Sequence, residues 1–540
     1  SGLQRSRKAL TGPRQSVVMN TAPTETNRLP RALNRRGFLR AGGVLSLLTA
    51  LAACGPRPTA PAGTPTAARD PGETDRPPAP GRATDPPEAA VGLPHTLRRL
   101  TLGPTPALTA EAQSLGASAW LEAQLAPDRG PGPEVEKRLA GLTTLTMSPA
   151  ERAQLEPKGQ AAQELVAATL VQLRYSDRQV YELLVDFWSN HFNIYLGGQP
   201  EIFLKTDDDL AAIRPHVLAT FADLLSASAH SPAMLAYLNQ AESTRVAPNE
   251  NYARELLELH TVGADGGYTQ DDVEALARVL TGWSIVGPRR RSPTIESGRF
   301  IFRQDDHDDA PAQVLGLSLA AGAGQQAGED VLAYLAAQPA TARFIATKLA
   351  RRFVADDPPG TLIDALTTVF AATGGDVPAL MQALVAAPEF TASAWSKLKR
   401  PLEFVISALR VTDAATEQPR PIAVMLRALG QVPFGWEAPN GYPDVAPFWQ
   451  TTSGLLGRWN FALDLTANRV RGTRVDLAAL TRDADTPEDV VDVLALRFVG
   501  EPLPSEARAI LVDVARTGAL EQQLPLVAGL ILASPFFQRR

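Results

Sequence analysis

Residues 176–192 read Ser176-Asp177-Arg178-Gln179-Val180-Tyr181-Glu182-Leu183-Leu184-Val185-Asp186-Phe187-Trp188-Ser189-Asn190-His191-Phe192. Within them Val180, Leu184, Phe187 and His191 recur at spacings of four, three and four. On a helix begun at Gln179 they form one stripe that faces a core. Ser176-Asp177 is a helix-start signal. Gly159–Arg174, just upstream, has the same period, so the two segments predict a helical hairpin. The pattern continues outward on both sides. Residues 95–126 predict two short helices, the second capped by Thr109; Leu210–Ser228 and Pro232–Leu238 follow. Asn249 caps a helix expected to reach Val262. Thr269 caps another expected to reach Trp283, with Asp272 three residues on as an acidic capping box. Two helices are expected within 329–354, then Leu362–Thr373, Val377–Ala387, Leu398–Ala415, Ile422–Ala428, 453–468, 487–498, 504–516 and 521–533. Only Arg299–Arg303 and Gln313–Leu317 have strand character, and they predict one small β-ribbon. The class expected is all-α: a large multihelical body over 91–540, in two lobes of about 91–320 and 321–540.

The chain ahead of this body is of another kind. Asn34-Arg35-Arg36-Gly37-Phe38-Leu39-Arg40 precedes an apolar run that ends Leu51-Ala52-Ala53-Cys54. Arg35 and Arg36 read as a twin-arginine export signal. The stretch Ala41–Ala53 falls short of the roughly 20 apolar residues a bilayer span needs. Cys54, the single cysteine of the chain, closes a lipobox and is expected to become the lipidated first residue of the mature protein. Residues 19–53 then form the signal peptide from Met19, and residues 1–18, basic and without Met, read as an upstream artefact. Acylation of Cys54 leaves no thiol for a disulfide or a cysteine-based metal site. Between Gly55 and Ala90 there are ten prolines and no Leu, Ile, Val, Phe, Trp or Tyr. Such a segment cannot bury enough apolar surface to order itself. It predicts a leash reaching on the order of 100 Å. The expected location is the bacterial cell envelope, reached through the twin-arginine translocase and held by lipid on the periplasmic or outer face of a membrane.

The whole chain is at −6; nine of its 52 basic and one of its 58 acidic residues precede Cys54, leaving −14 from there onward. That balance argues against nucleic acid, whose binding neutralises phosphates with Lys and Arg. It also argues against lying flat on an anionic membrane.

A set of segments in fixed order resembles the bacterial family known as domain of unknown function 1800. They are Asp186–Phe192; Ile213-Arg214-Pro215-His216; Ser231–Leu235; Asn249–Leu259; Gly267-Tyr268-Thr269; Ala277–Trp283; His307-Asp308; Lys397–Glu403; and Pro439-Asn440-Gly441-Tyr442-Pro443. They span roughly residues 93–540. Ser189 departs from the pattern, which often has a second histidine there. If that position were a metal ligand, this chain would lack it. The resemblance implies a large, mostly helical exported protein with no assigned reaction. It also implies a plausible partner from a second twin-arginine-exported family, domain of unknown function 1501, which resembles sulfatases and alkaline phosphatases.

For chemistry, His191 is either a satisfied core group or a ligand or base at a pocket floor, with Asn190 as a second polar group beside it. On the helix after Asn249, Glu250, Asn251, Arg254, Glu255 and Glu258 share the polar side. They read as i,i+4 ion pairs on a solvated face, or as a cleft lining with Glu255 and Glu258 as metal ligands or acid/base carboxylates. His260 falls on the apolar side. In Gln304-Asp305-Asp306-His307-Asp308-Asp309, a solvated run, His307 and Asp308 could complete a His/carboxylate site for a divalent metal with His191, Glu255, Glu258 and His260. There is no zinc-protease His pattern, no Gly-x-Ser-x-Gly elbow, no Walker loop and no dinucleotide fingerprint. Gly435–Tyr442 reads as a packed loop, or as an aromatic platform for glycan or peptide. Two function classes follow. One is a non-enzymatic, lipid-anchored envelope protein that binds or positions a co-exported partner, and the balance favours it. The other is a metal-assisted hydrolase with His191, Asn190, Glu250, Arg254, Glu255 and His307 as catalytic candidates.

Overall fold

Side-chain caps and prolines set where the helices start. The computed structural model describes residues 92–287, 292 and 295–540. The export signal at Arg35 and Arg36, the lipidation candidate Cys54 and the proline-rich leash lie outside these residues. Helix α1 spans Leu93–Leu100 and α2 spans Pro106–Leu115. The cap of α2 is Thr105, whose hydroxyl accepts from the Leu108 amide, so Thr109 sits inside the helix rather than at its start. Pro106 fixes that start, because proline is pre-set for the first helical turn. Helices α3 (Gln160–Tyr175) and α4 (Gln179–His191) form the expected hairpin.

The stretch expected as one helix over 210–228 is broken. A π-helical turn covers Asp208–Ile213, a 3-10 turn carries Pro215, and α5 (Phe221–Ala229) starts afresh at a Thr220–Asp223 capping box. Proline cannot donate within a helix, which accounts for the break. After Asn249, α6 covers only Glu250–Glu255 and widens into a π-helical turn at Leu256–His260. The Thr269–Asp272 capping box opens α7, but α7 ends at Val279 rather than Trp283. Gly282, at φ 84, turns the chain against the Arg303 carbonyl, where a Cβ would collide, and Trp283 enters a strand.

That strand, β1 (Trp283–Ile285), pairs antiparallel with β2 (Phe300–Phe302). Strands β3 (Ala312–Val314) and β4 (Leu317–Leu319) pair through Leu315 and Gly316, both at positive φ as a tight primed turn requires. So both strand segments are real, but each pairs with its own neighbour instead of the other. Helix α8 is Pro339–Phe353. Helix α9 is Pro401–Val411, shorter than the expected 398–415 because Pro401 starts it and Ala415 belongs to β5 (Ala415–Thr416). Helix α10 is Pro419–Ala428, α11 is Thr452–Thr466, β6 is Thr473–Arg474 paired with β5, and α12 is Leu520–Ala533.

The body is all-α with three two-stranded ribbons among the described residues. Trp120, Trp188 and Trp283 are fully buried. Helix α12 lies along α11, and Gly529 allows the approach: a Cβ there would stand 2.8 Å from Leu463. The described residues fall in one compact unit. Helices from both sides of residue 320 meet in it; the Arg99 guanidinium of α1 donates to the carbonyls of Phe353, Val354, Ser393 and Arg540. Among the described residues no helix is long and apolar enough to cross a membrane.

Candidate functional site

The end of α4 organises the centre of the molecule. Asn190 donates from Nδ2 to the Tyr442 carbonyl at 3.0 Å and accepts from the Tyr442 amide at 2.7 Å. Asn193 donates to the carbonyls of Trp436 and Ala438. Four hydrogen bonds thus seat the loop 435–443 on the end of α4 and the residues just after it. Gly441, at φ 72, lies against Asn190 where no Cβ fits. Trp436 packs on Tyr442, Tyr442 packs on Trp449 beyond the loop, and the Trp436 indole donates to Asn440 Oδ1. Tyr442 and Trp449 are buried with Leu398.

Beneath that joint is a buried ionic hub. Arg352 and Arg400 both bind Asp186, and Glu403 binds Arg352, Arg400 and Arg540. Lys397 spans Asp356 and Asp444 at 2.6 and 3.2 Å. Burial alone would raise the Glu403 pKa, but the surrounding guanidiniums of Arg352, Arg540 and Arg400 overcome it and hold the carboxylate far below its ordinary range.

His191 is buried at the edge of the hub, ringed by Trp188, Phe192, Phe221 and Phe344. Its Nε2 lies 3.1 Å from the His260 carbonyl and its Nδ1 2.8 Å from Lys348 Nζ. A neutral ring that donates from Nε2 and accepts the lysine proton at Nδ1 satisfies both contacts. Burial, then the Lys348 charge, holds the His191 pKa far down. Burial also brings Lys348 down to about 8, with Arg351 acting in the same sense and Asp444 against it. His260 is buried and pushed down to about 3 by burial and by Lys348.

The other candidates are spread over separate struts. Arg254 pairs with Glu250 at 3.1 Å and donates to Gln270. Glu258 accepts from the Tyr268 hydroxyl. Glu255 is half-buried, its pKa raised by burial and then by Glu258. His307 sits under Phe302, 2.8 Å from the Thr281 carbonyl and 3.4 Å from Asp309. Asp308 lies 3.7 Å from Arg278. Thus His191 and His260 come together, Glu250 pairs with Arg254, and His307 has neighbours that are not those of His191. Among the described residues no three of His, Cys, Asp and Glu are grouped as a metal ion requires, so the expected set of His191, Glu255, Glu258, His260, His307 and Asp308 does not converge. Ser189 is buried on α4.

A model of the family described as "protein of unknown function (DUF1800)" matches residues 95–539. The chain belongs to the DUF1800 family. No curated protein matches it, and no solved structure does. In this DUF1800 chain the segments at 186–192, 397–403 and 439–443 meet at the hub and the α4 joint just described.

Lys348 was not among the residues singled out in the sequence, yet it carried a signal. Thr341, Ile345, Lys348 and Arg352 recur at four, three and four, the spacing of a core stripe, and two of them are cations. A second missed feature is a cleft of about 650 Å³ between α3 and α10. It is floored by Tyr195–Gly197 and Val432–Gly435, with Tyr442 behind, and walled by Val166 of α3 and Arg420, Val424 and Arg427 of α10.

Proposed function

We propose that this chain is an exported, lipid-anchored protein of the bacterial cell envelope whose body binds and positions a co-exported partner. The observation that carries the binding reading is the disposition of the reactive side chains. His191, Glu250, Glu258, His307 and Asp308 each engage a neighbour within the fold, while the open cleft is lined by aromatic, aliphatic and guanidinium groups that suit binding. The envelope part rests on Arg35-Arg36, the short apolar run and Cys54, followed by a proline-rich leash. Multiple acyl chains at Cys54 would give firm anchoring. A protein of the domain of unknown function 1501 type is the partner favoured.

Two measurements test this. Globomycin-sensitive acylation and membrane fractionation of the full chain should be lost in Cys54→Ser, and export should fail in the double variant Arg35→Lys, Arg36→Lys. Co-expression with a co-encoded sulfatase-like protein should give co-purification of the pair. Export through the double-lysine variant would overturn the envelope reading, and failure of the pair to associate would overturn the choice of partner.

A further inference from the structure

The cleft between α3 and α10 has features that a solvated surface groove does not need. Arg420, Ala423, Val424 and Arg427 lie on one side of α10 and all face the cleft. The two arginines are seven residues apart, about 10 Å along the helix axis, with Ala423 and Val424 as an apolar shelf between them. Val424 is 64% exposed, high for a valine on the wall of a cavity. Opposite stand Ala162, Val166 and Ala167 of α3, with Gln163 and Tyr195 as polar groups of the lining. No acidic residue lines this cleft, in a chain that has 58 of them. Neither guanidinium has a hydrogen bond or ion pair among the described residues, whereas the buried arginines Arg352 and Arg400 of the hub are matched to carboxylates.

The floor adds an independent observation. Phe434 has φ 58, a backbone state that costs a bulky side chain on the order of 1–3 kcal/mol and gathers at ligand clamps. It is held there from both sides: its carbonyl accepts from the Leu196 amide, and the Lys205 ammonium stands 4.7 Å from its ring. The strain keeps Phe434 in the lining of the cleft that Arg420 and Arg427 share.

We propose that this cleft is a binding site for an elongated organic dianion: two carboxylate, phosphate or sulfate groups taken by Arg420 and Arg427, and an apolar midsection laid on Val424, Val166 and Phe434. Guanidinium forks recognise such oxyanions with charge-assisted hydrogen bonds. The local positive field in an acidic protein draws the anion to this one wall. The volume lies within the range usual for small-molecule sites. The inference deepens the binding reading by naming a ligand class, and it stands or falls on ligand titration rather than on partner capture.

The test is calorimetric titration of the full-length Cys54→Ser chain with decanedioate at low salt, with decanoate and decane-1,10-diol as comparison probes. Decanedioate should bind one to one, decanoate about tenfold or more weaker, and the diol not measurably. Arg420→Gln and Arg427→Gln, both on exposed side chains, should each weaken decanedioate about tenfold while the melting temperature stays put. Val424→Glu should abolish binding. Absence of any decanedioate binding, binding of the diol as tight as the dianion, or unchanged affinity in both arginine variants would overturn the assignment. Loss of partner association with ligand binding intact would count against the partner reading alone.

Discussion

His230 is the residue whose protonation the fold uses most directly. Its Nδ1 faces the Ser226 carbonyl at 2.8 Å and its Nε2 faces Glu329 at 2.9 Å, so both nitrogens must donate and the ring is an imidazolium. Burial pushes its pKa down, but the hydrogen bonds to Glu329 and Ser226 prevail and the net shift is upward. The stabilisation is therefore full below the unfolded value of about 6.5 and is lost as pH rises through the higher folded value. Glu329, with its pKa lowered, contributes above about 4.5 and loses its share as pH falls. The melting-temperature advantage of the native chain over His230→Gln should shrink as pH rises above 6.5, and an advantage that stays constant with pH refutes the assignment. His191 and His260, with lowered values, act only below 6.5, and the lowered lysines Lys348 and Lys399 act alike in the native chain and the variant, so the difference isolates His230. Lys348 gives the complementary case. Between its folded value of about 8 and the ordinary 10.5 the unfolded chain binds more protons, so stability gains with pH across that interval. Buried Lys399, brought down to about 7, gains in the same sense, so Lys348→Met should reduce but not abolish the rise between pH 8 and pH 10 in denaturant titrations, and an unchanged slope would refute the Lys348 share.

At the scale of elements, the joint between α4 and the loop 435–443 is the part most sensitive to small changes. Gly441→Ala places a Cβ on Asn190 at a left-handed backbone position and should cost about 3 kcal/mol in chemical unfolding. Asn190→Ala leaves the Tyr442 amide and carbonyl without their partner and should cost about 1–3 kcal/mol. A loss under about 0.5 kcal/mol in both would mean that the loop is held elsewhere. Elements of this kind differ in how legible they were. Thr269 and Asp272 announced the start of α7 because capping is local chemistry. The end of α7 was not announced, since Gly282 turns the chain to meet the Arg303 carbonyl, 21 residues away and unpaired in any sequence window. The strand character of Phe300–Phe302 was visible, but its partner Trp283–Ile285 was hidden because Trp283 closes a helical period and only two residues of the strand follow it. The two π-helical turns, at Asp208–Ile213 and Leu256–His260, left no periodic trace at all.

For the whole molecule, the sequence offered polar residues in the right segments but not the map of which segments meet. His191 looked like a core residue or a ligand, and its contact with Lys348 joins α4 to α8 across 157 positions. The hub is of the same kind: Asp186, Arg352, Lys397, Arg400, Glu403, Asp444 and Arg540 come from elements scattered over most of the body. Periodicity marks each as an oddity on its own helix, and only the fold makes them one cluster. Glu403 is its pivot, and that fixes a strong expectation. Glutamine in its place keeps the shape but withdraws the charge from three buried guanidiniums. Breaking a buried ion pair from one side costs about 3–5 kcal/mol, since the remaining charges cannot be rehydrated. The chain should unfold in one cooperative transition, with Glu403→Gln lowering its unfolding free energy by that amount at pH 7. At acid pH the native chain should converge on the variant, because a carboxylate held far below its usual pKa gives its stabilisation above the unfolded value of about 4.5 and yields it only as pH drops through the folded one. Amide exchange should report the same loss at α1, α8 and α9 together, since Arg352 and Arg400 bind Glu403 directly and Arg99 is tied to its partner Arg540 through the Arg540 carbonyl. If only α9 opens faster, the hub is a local strut, and something other than charge ties the two ends of the body together.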